Sequence, residues 1–127
     1  MKQILLLFLT TLLVLTGCGR AKEKNAYQQI TQEEAKRMMD TQEVIILDVR
    51  EQDEFDAGHI PGATLIPYGS IEEKAPSMLP DKDQLILVYC RSGRRSKIAA
   101  EALEKMGYTN IKEFGGILDW PYEIVEE

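Results

Sequence analysis

Residues 90–96, Cys-Arg-Ser-Gly-Arg-Arg-Ser, bring one thiol together with three guanidinium groups. The chain as a whole is acidic, since its 127 residues carry a formal net charge of −6. Nearby cations lower the pKa of a cysteine from about 8.5 to neutrality or below, which makes the thiol a nucleophile. A cysteine that only fills a core does not need this charge. The segment therefore predicts a thiolate in a site that binds anions.

Cys90 has no second cysteine with which it could form a disulfide in the mature chain. The chain contains two cysteines, Cys18 and Cys90, and one histidine, His59. Cys18 is assigned below to a lipid, so a disulfide framework and a dithiol redox pair are both excluded for the mature chain. One free cysteine and one histidine are too few for a zinc site. We therefore expect neither a metal nor a cofactor.

Apolar runs alternate with helical patterns from residue 30 onward, and these elements must position the thiol. Continuous aliphatic runs and one shorter run predict strands at residues 44–48, 63–67, 85–89 and 110–114. Capping boxes and apolar stripes predict helices over residues 32–40, after Ser70, over residues 97–107 and around residues 115–120. This alternation predicts an α/β fold, a three-layer sandwich with a mainly parallel central sheet.

The predicted order places Cys90 at the carboxyl end of a buried strand, in the turn that leads into a helix. Open α/β sheets bind their ligands at this edge. Turn amides and the positive end of the helix dipole attract an anion there, and Gly93 permits a positive φ. Asp48 and Arg50 follow another predicted strand at the same edge. We expect these two residues to support the loop through a salt bridge.

Three segments, taken in order, resemble one known family. They are LDVREQDEFDAGHIPGATLIP at 47–67, LILVYCRSGRRS at 85–96 and GGILDW at 115–120. Together they resemble the rhodanese family of single-domain sulfurtransferases, over about residues 28–125. The resemblance implies a rhodanese-like domain at residues 29–127, with Cys90 as the catalytic residue and residues 90–95 as the active loop.

The resemblance also implies a reaction. In active members, the cysteine takes a sulfane sulfur from an anionic donor such as thiosulfate and becomes a persulfide. It then passes the sulfur to cyanide or another thiophilic acceptor, which includes protein thiols. Because the intermediate is covalent, the two half-reactions predict ping-pong kinetics. Thiosulfate is a dianion and releases sulfite, so the mechanism needs positive charge rather than a general base. The expected substrate-binding residues are Arg91, Ser92, Gly93, Arg94, Arg95 and Ser96.

Other residues near these motifs have structural interpretations. His59 is expected to be a turn residue that forms a local hydrogen bond rather than a catalyst. The acidic residues between 51 and 56 are expected to form the solvated side of a short helix. Trp120 is expected to belong to the core or to the wall of a pocket.

Two other functions compete with sulfur transfer. Cysteine phosphatases and arsenate reductases place a cysteine at a strand end, with an arginine after five intervening residues. Here that position is Ser96 and the arginine comes one place earlier, at Arg95, which gives a tighter loop suited to a single sulfur atom. The second alternative is a membrane-tethered domain that carries or senses a persulfide for a partner protein. The sequence does not separate this role from turnover.

The N-terminus indicates export. Residues 4–15 form a run of apolar and hydroxyl side chains after Lys2, too short for the roughly 20 residues that span a bilayer. Residues 15–18, Leu-Thr-Gly-Cys, resemble the lipobox of bacterial lipoproteins. We therefore expect a lipoprotein signal peptide at residues 1–17, a diacylglycerol on Cys18 and a polar, lipid-anchored tether at residues 18–28.

The net charge and the expected location limit the classes of partner that the protein can bind. Removal of Lys2 with the signal peptide would change the net charge from −6 to −7. This acidity argues against nucleic acid and against electrostatic adhesion to anionic lipid. We expect a monomer held on the extracytoplasmic face of the cell membrane by the Cys18 lipid alone.

Overall fold

Five parallel strands form the central sheet of the computed structural model, which describes residues 27–126. The strands are β1 (Tyr27–Gln29), β2 (Ile45–Asp48), β3 (Thr64–Leu65), β4 (Ile86–Cys90) and β5 (Ile111–Gly116). Their order across the sheet is β1-β5-β4-β2-β3, and each pairing is parallel. The predicted signal peptide and Cys18 lie outside the described residues.

Helices cover both faces of this sheet. They are α1 (Gln32–Thr41), α2 (Gln52–Ala57), α3 (Ile71–Met78) and α4 (Arg94–Lys105), with short 3-10 helices at Tyr68–Ser70 and Ile117–Asp119. One apolar core lies between the sheet and α3 and α4, and includes Ala75, Leu103 and Val88. A second core lies on the opposite face and includes Ala35 of α1 together with Leu87. The α/β three-layer sandwich predicted from the sequence is confirmed.

The central strand β4 determines where the thiol lies. All five of its residues are buried, because Ile86 and Val88 face one core while Leu87 and Tyr89 face the other. A parallel strand with helices on both sides reads as a continuous apolar run, which is the pattern the sequence shows. Cys90 ends this strand and lies at the carboxyl edge of the sheet.

Most predicted element boundaries shift by one to three residues, as for β3, which covers Thr64–Leu65 rather than residues 63–67. Two of the differences affect the tether and the active loop. Strand β1 begins at Tyr27, so it overlaps the tether predicted for residues 18–28. Its polar residues form a strand because β5 offers a parallel partner, and no apolar period announces that pairing. Helix α4 begins at Arg94 rather than near residue 97, because Gly93 has a φ of +114° and ends the turn early.

The described part of the chain contains no helix that is long and apolar enough to cross a membrane.

Candidate active site

Cys90 lies at the base of a tight turn between β4 and α4. Only 1% of the residue is exposed. The Gly93 amide donates a hydrogen bond to its Sγ at 3.0 Å, and the Ser96 hydroxyl lies 3.4 Å from the same sulfur. Ser96 is fully buried in the first turn of α4. The turn therefore surrounds one sulfur atom with donors from the loop and from the helix.

The pKa of Cys90 reflects this environment. Burial raises the pKa of the thiol, but hydrogen bonds from the Ser96 side chain and from the amides of Ser96, Gly93 and Ser92 together lower it below its ordinary value. Hydrogen bonds to the charged form favour ionisation of a buried acid. The site thus favours the thiolate that sequence analysis predicted, chiefly through hydrogen bonds at short range.

The three loop arginines occupy different environments. Arg91 and Arg94 are exposed, and within the described residues neither forms an ion pair; the Arg94 guanidinium lies 5.9 Å from the Tyr68 ring centroid. Arg95 instead forms two hydrogen bonds to the carboxylate of Glu54 in α2, at 2.8 and 2.9 Å. The expectation that residues 51–56 are only a solvated helix face is therefore wrong for Glu54, because α2 packs beside the loop.

This ion pair affects both partners. Hydrogen bonds from Arg95 outweigh burial and lower the pKa of Glu54 to about 2. Glu54 in turn raises the pKa of Arg95, and the charge of the Cys90 thiolate raises it further. Arg95 is consequently held by Glu54 within electrostatic range of Cys90, whereas Arg91 and Arg94 remain available at the protein surface.

Asp48 and Arg50 form the expected salt bridge at the end of β2, at 2.7 Å, with both side chains buried. Arg50 also donates to the Gly58 carbonyl, and the Tyr89 hydroxyl donates to Asp48 at 2.7 Å. That hydroxyl accepts the Ile60 amide. The network therefore joins the residue before Cys90 to the segment between α2 and β3. The connection from the salt bridge to the strand that ends at Cys90 runs through Tyr89.

The remaining predicted residues have clear positions. The Nδ1 atom of His59 lies 2.8 Å from the Phe55 carbonyl, and its ring stacks on that of Phe55, so His59 has the local role that was expected. Trp120 packs against Phe114 and lines a cavity beside α1, as predicted. Ser92 is exposed and contributes its amide to the thiol. Within residues 27–126, no cluster of histidine, cysteine or carboxylate side chains could hold a metal ion.

Two positions that contact residues 91–96 were not predicted from the sequence. A Cβ atom on Gly116 would lie 2.0 Å from the Arg91 carbonyl oxygen, so only glycine lets β5 approach the active loop this closely. Glu113 of β5 is 1% exposed and accepts a hydrogen bond from Ser96. Glu113 lies on the same face of the predicted strand as Ile111. A carboxylate on this apolar face is the sequence signal that could have identified Glu113.

Comparison with protein families and curated proteins identifies a matching family and several similar proteins. The model of the Rhodanese-like domain family matches residues 31–122. Thiosulfate sulfurtransferase PspE of Escherichia coli is 38% identical over 73 residues, covering 58% of this chain and 70% of the relative. The putative sulfur carrier protein YrkF of Bacillus subtilis is 36% identical over 106 residues, which cover 82% of this chain but 56% of the relative.

Solved structures agree with the sequence comparison. A rhodanese with anions from E. coli superposes with a TM-score of 0.63 at 34% identity. The match covers 67% of this chain and 100% of that chain. A rhodanese-related protein from Thermoplasma volcanium superposes with a TM-score of 0.69 at 30% identity, covering 80% of this chain and 100% of that chain. The five-stranded parallel sheet with helices on both faces agrees with the fold of these structures. The chain therefore belongs to the rhodanese-like family.

Proposed function

We propose that this protein is a sulfurtransferase that carries a sulfane sulfur as a persulfide on Cys90. The observation that carries the proposal is the hydrogen bond from the Gly93 amide to Sγ at 3.0 Å, at the start of a helix whose dipole favours an anion. Membership of the family and the similarity to a thiosulfate sulfurtransferase support the same reaction. A nucleophile held as an anion needs only a donor with an electrophilic sulfur.

The proposed donor is a small anion such as thiosulfate. The Cys90 thiolate attacks the terminal sulfur, a bond forms between the two sulfur atoms, and the sulfur–sulfur bond of thiosulfate breaks. Sulfite leaves with the bonding electron pair, and the enzyme keeps a persulfide whose terminal sulfur carries the negative charge. The loop amides that now surround Sγ are close enough to stabilise this charge.

In the second half-reaction, a thiophilic acceptor attacks the terminal sulfur of the persulfide. With cyanide, the products are thiocyanate and the Cys90 thiolate, so charge and atoms balance over the cycle. Exposed Arg91 and Arg94 supply positive charge where the donor enters and sulfite leaves. This charge is local, because the chain as a whole is acidic.

The loop argues against the phosphatase alternative. A cysteine phosphatase needs an arginine whose two donor groups face the oxygens of the bound anion. In this protein, both terminal nitrogens of Arg95 are bonded to Glu54, and residue 96 is a buried serine. The loop is also one residue shorter, so it encloses a sulfur atom better than a phosphoryl group.

A protein thiol is a second acceptor that the surface favours. Arg91 borders a groove with a volume of about 420 Å³ whose other lining residues include Leu118 and Ile124. These two apolar side chains are 60% and 52% exposed, which is typical of contact surfaces. We propose that an acidic protein with a reactive thiol docks here, because its carboxylates would pair with Arg91. The domain would then act as a persulfide carrier for that partner.

The proposal includes a location. The lipobox-like residues 15–18 support attachment of the chain to the extracytoplasmic face of the cell membrane through Cys18. A short polar tether before β1 would keep the active loop close to that surface. An acceptor would then be another protein or a small thiol on the same side of the membrane.

Intact-mass spectrometry tests the proposed function directly. We expect the purified protein to gain the mass of one sulfur atom when it is incubated with thiosulfate, and to lose it when cyanide is added. Cys90→Ser should abolish both changes, because a serine hydroxyl is a far weaker nucleophile at neutral pH. A serine variant that still gains sulfur, or a wild-type protein that never does, would contradict the proposal.

A further inference from the structure

Glu113 is a buried carboxylate that hydrogen-bonds Ser96, the residue that follows the active loop. It lies in β5, on the face of the sheet that α4 covers, and only 1% of the residue is exposed. Burial of a charged carboxylate is costly unless hydrogen bonds compensate for it. One oxygen, Oε2, accepts both the Ser96 hydroxyl and the Gly115 amide at 2.9 Å. The sulfur-transfer mechanism described above makes no use of this carboxylate.

Ser96 connects Glu113 to the thiol. Its Oγ atom lies 3.4 Å from the Cys90 Sγ and hydrogen-bonds the Glu113 carboxylate on its other side. A serine hydroxyl has one proton to donate and lone pairs to accept. When Ser96 donates to Glu113, its oxygen can therefore accept the S–H proton of Cys90. The three side chains form a continuous path along which one proton can move.

We propose that Cys90, Ser96 and Glu113 form a proton relay in which Glu113 takes up the proton of the thiol through the Ser96 hydroxyl. The proposal deepens the proposed sulfurtransferase function, on which it rests, by naming the group that receives the proton. Within the described residues, Glu113 is the one carboxylate that hydrogen-bonds Ser96.

The proton balance of the step is simple. The Cys90 S–H proton passes to the Ser96 oxygen while the Ser96 O–H proton passes to Glu113 Oε2. The products are a thiolate, a serine that now donates to that thiolate, and a neutral carboxylic acid. No net charge is created in the buried site, because one negative charge only moves from oxygen to sulfur. The lowered pKa of Cys90, in which the Ser96 side-chain hydrogen bond is the leading favourable contribution, agrees with this end state.

The groups around the relay determine which end holds the negative charge. On the Glu113 side, Lys97 of α4 lies 3.8 Å from Oε1, the Gln29 amide of β1 donates to the same oxygen, and burial and the Glu113 carboxylate raise the pKa of the Tyr27 phenol. On the Cys90 side are the loop amides and the cation Arg95, which the Glu54 carboxylate of α2 holds in place. Both ends thus have donors for an anion, and the shared proton can occupy either one.

The pH dependence of Cys90 alkylation tests the relay. Two coupled acids that share one proton keep a constant fraction of the thiolate form between their two macroscopic pKa values. The wild-type rate of Cys90 alkylation by iodoacetamide, read by peptide mass spectrometry, should therefore reach a plateau at mildly acidic pH. In Glu113→Gln, where the proton must leave to solvent, the rate should fall about tenfold for each unit below the thiol pKa.

One control variant and the wild-type profile separate the relay from a structural or purely electrostatic role. Glu101→Gln, which changes an exposed carboxylate on α4, should keep the plateau. A Glu113 carboxylate that acts only by its charge would stay ionised over this pH range, and the wild-type rate would then follow a single thiol titration. A wild-type profile without a plateau would therefore overturn the proposal.

Ser96→Ala provides a second, independent variant in case Glu113→Gln does not fold, as judged by circular dichroism and thermal unfolding. It should lose the plateau in the same way, and Glu113→Gln should add nothing in the Ser96→Ala background, because members of one path are not additive. A Ser96→Ala protein that keeps the plateau would refute the relay. Since alkylation requires no sulfur donor, this test stands even if no persulfide forms.

Infrared difference spectroscopy gives a readout that is independent of reaction rates. In the resting enzyme the proton is shared between Cys90 and Glu113. Conversion to the persulfide by thiosulfate removes the thiol end, so the whole proton should pass to Glu113. We expect a new carboxylic-acid C=O absorption in the wild-type difference spectrum and none in that of Glu113→Gln. A persulfide spectrum without this absorption would contradict the proposed destination of the proton.

Discussion

At Cys90, burial and hydrogen bonding act in opposite directions on the thiol pKa. Burial raises the pKa, while the Ser96 hydroxyl and the amides of Ser96, Gly93 and Ser92 lower it by a larger amount in total. Arg95 is the loop arginine whose own pKa is raised by the charge of Cys90. The loop cations therefore differ in environment, since one is bonded to Glu54 within electrostatic range of the thiolate and two face the solvent.

Arginine-to-glutamine variants should separate these roles. Arg91→Gln and Arg94→Gln should raise the KM for thiosulfate by about tenfold or more, the loss expected for one charge-assisted contact, with little change in the pKa of Cys90. Arg95→Gln should raise the pKa of Cys90, because it removes a cation that interacts electrostatically with the thiolate. Steady-state kinetics and the pH dependence of alkylation measure both quantities.

The Arg95 variant should also alter stability in a pH-dependent way. The pKa of Glu54 is lowered from 4.5 to about 2, so the ion pair contributes fully above pH 4.5 and its contribution is lost as pH falls through about 2. We expect Arg95→Gln to lower the free energy of unfolding by about 1 kcal/mol at neutral pH, with the difference shrinking in acid. Equal effects of all three arginines on KM, thiol pKa and stability would contradict this division.

Among the elements, the carboxyl end of β5 supports the active loop most directly. Cys90 pairs with Gly116 across an irregularity between β4 and β5, and the Leu118 amide donates to the Arg91 carbonyl at 3.1 Å. The backbone of Gly116 therefore lies directly against residues 91 and 92. Gly116 of the last motif is thus needed for packing, and that packing fixes the position of the loop.

Gly116→Ala should disturb the loop without changing any chemical group in it. The new Cβ would lie 2.0 Å from the Arg91 carbonyl oxygen and 2.5 Å from the Ser92 nitrogen, so the turn must move away from its hydrogen-bonding geometry. We expect a loss of about 1–3 kcal/mol in the free energy of unfolding, the range for overpacked sites. Slower alkylation of Cys90 should accompany it, because the amides that stabilise the thiolate are displaced.

Gly69→Ala is the matched control for that experiment. A Cβ at this glycine would meet no atom within 4 Å, so urea unfolding and alkylation should both remain close to wild type. If Gly116→Ala behaved like Gly69→Ala in both measurements, the close approach of β5 would have no part in shaping the site.

At the scale of the whole molecule, the location of the chain depends on Cys18. We expect Cys18→Ala to prevent lipid attachment, so that the protein leaves the membrane fraction or accumulates with its leader still present. Fractionation and mass measurement of the N-terminal peptide would show either result. Cys90→Ser should remain processed and membrane-bound, because its change lies far along the chain from the lipobox-like residues. Unchanged attachment of the Cys18→Ala protein would exclude the lipid anchor.

Local sequence patterns were sufficient to predict the fold class and the position of Cys90 between a buried strand and a helix. The continuous aliphatic run before Cys90 predicts a buried parallel strand, and β4 is that strand. The cationic, glycine-containing turn predicts an anionic thiol, and the pKa of Cys90 is lowered. These predictions succeed because strand burial, turn chemistry and a neighbouring helix depend on residues that are adjacent in the chain.

Tertiary structure alone decided which distant groups reach the thiol. Glu113 is 17 positions from Ser96 and Glu54 is 41 positions from Arg95. No local spacing could reveal that one carboxylate would bind the serine and the other an arginine. Likewise, Gly116 meets Arg91 because β5 pairs with β4 in parallel, in a register set by two apolar cores. The sequence alone therefore determined the fold class and the turn that holds Cys90, whereas packing of the sheet and helices selected the carboxylates around that turn.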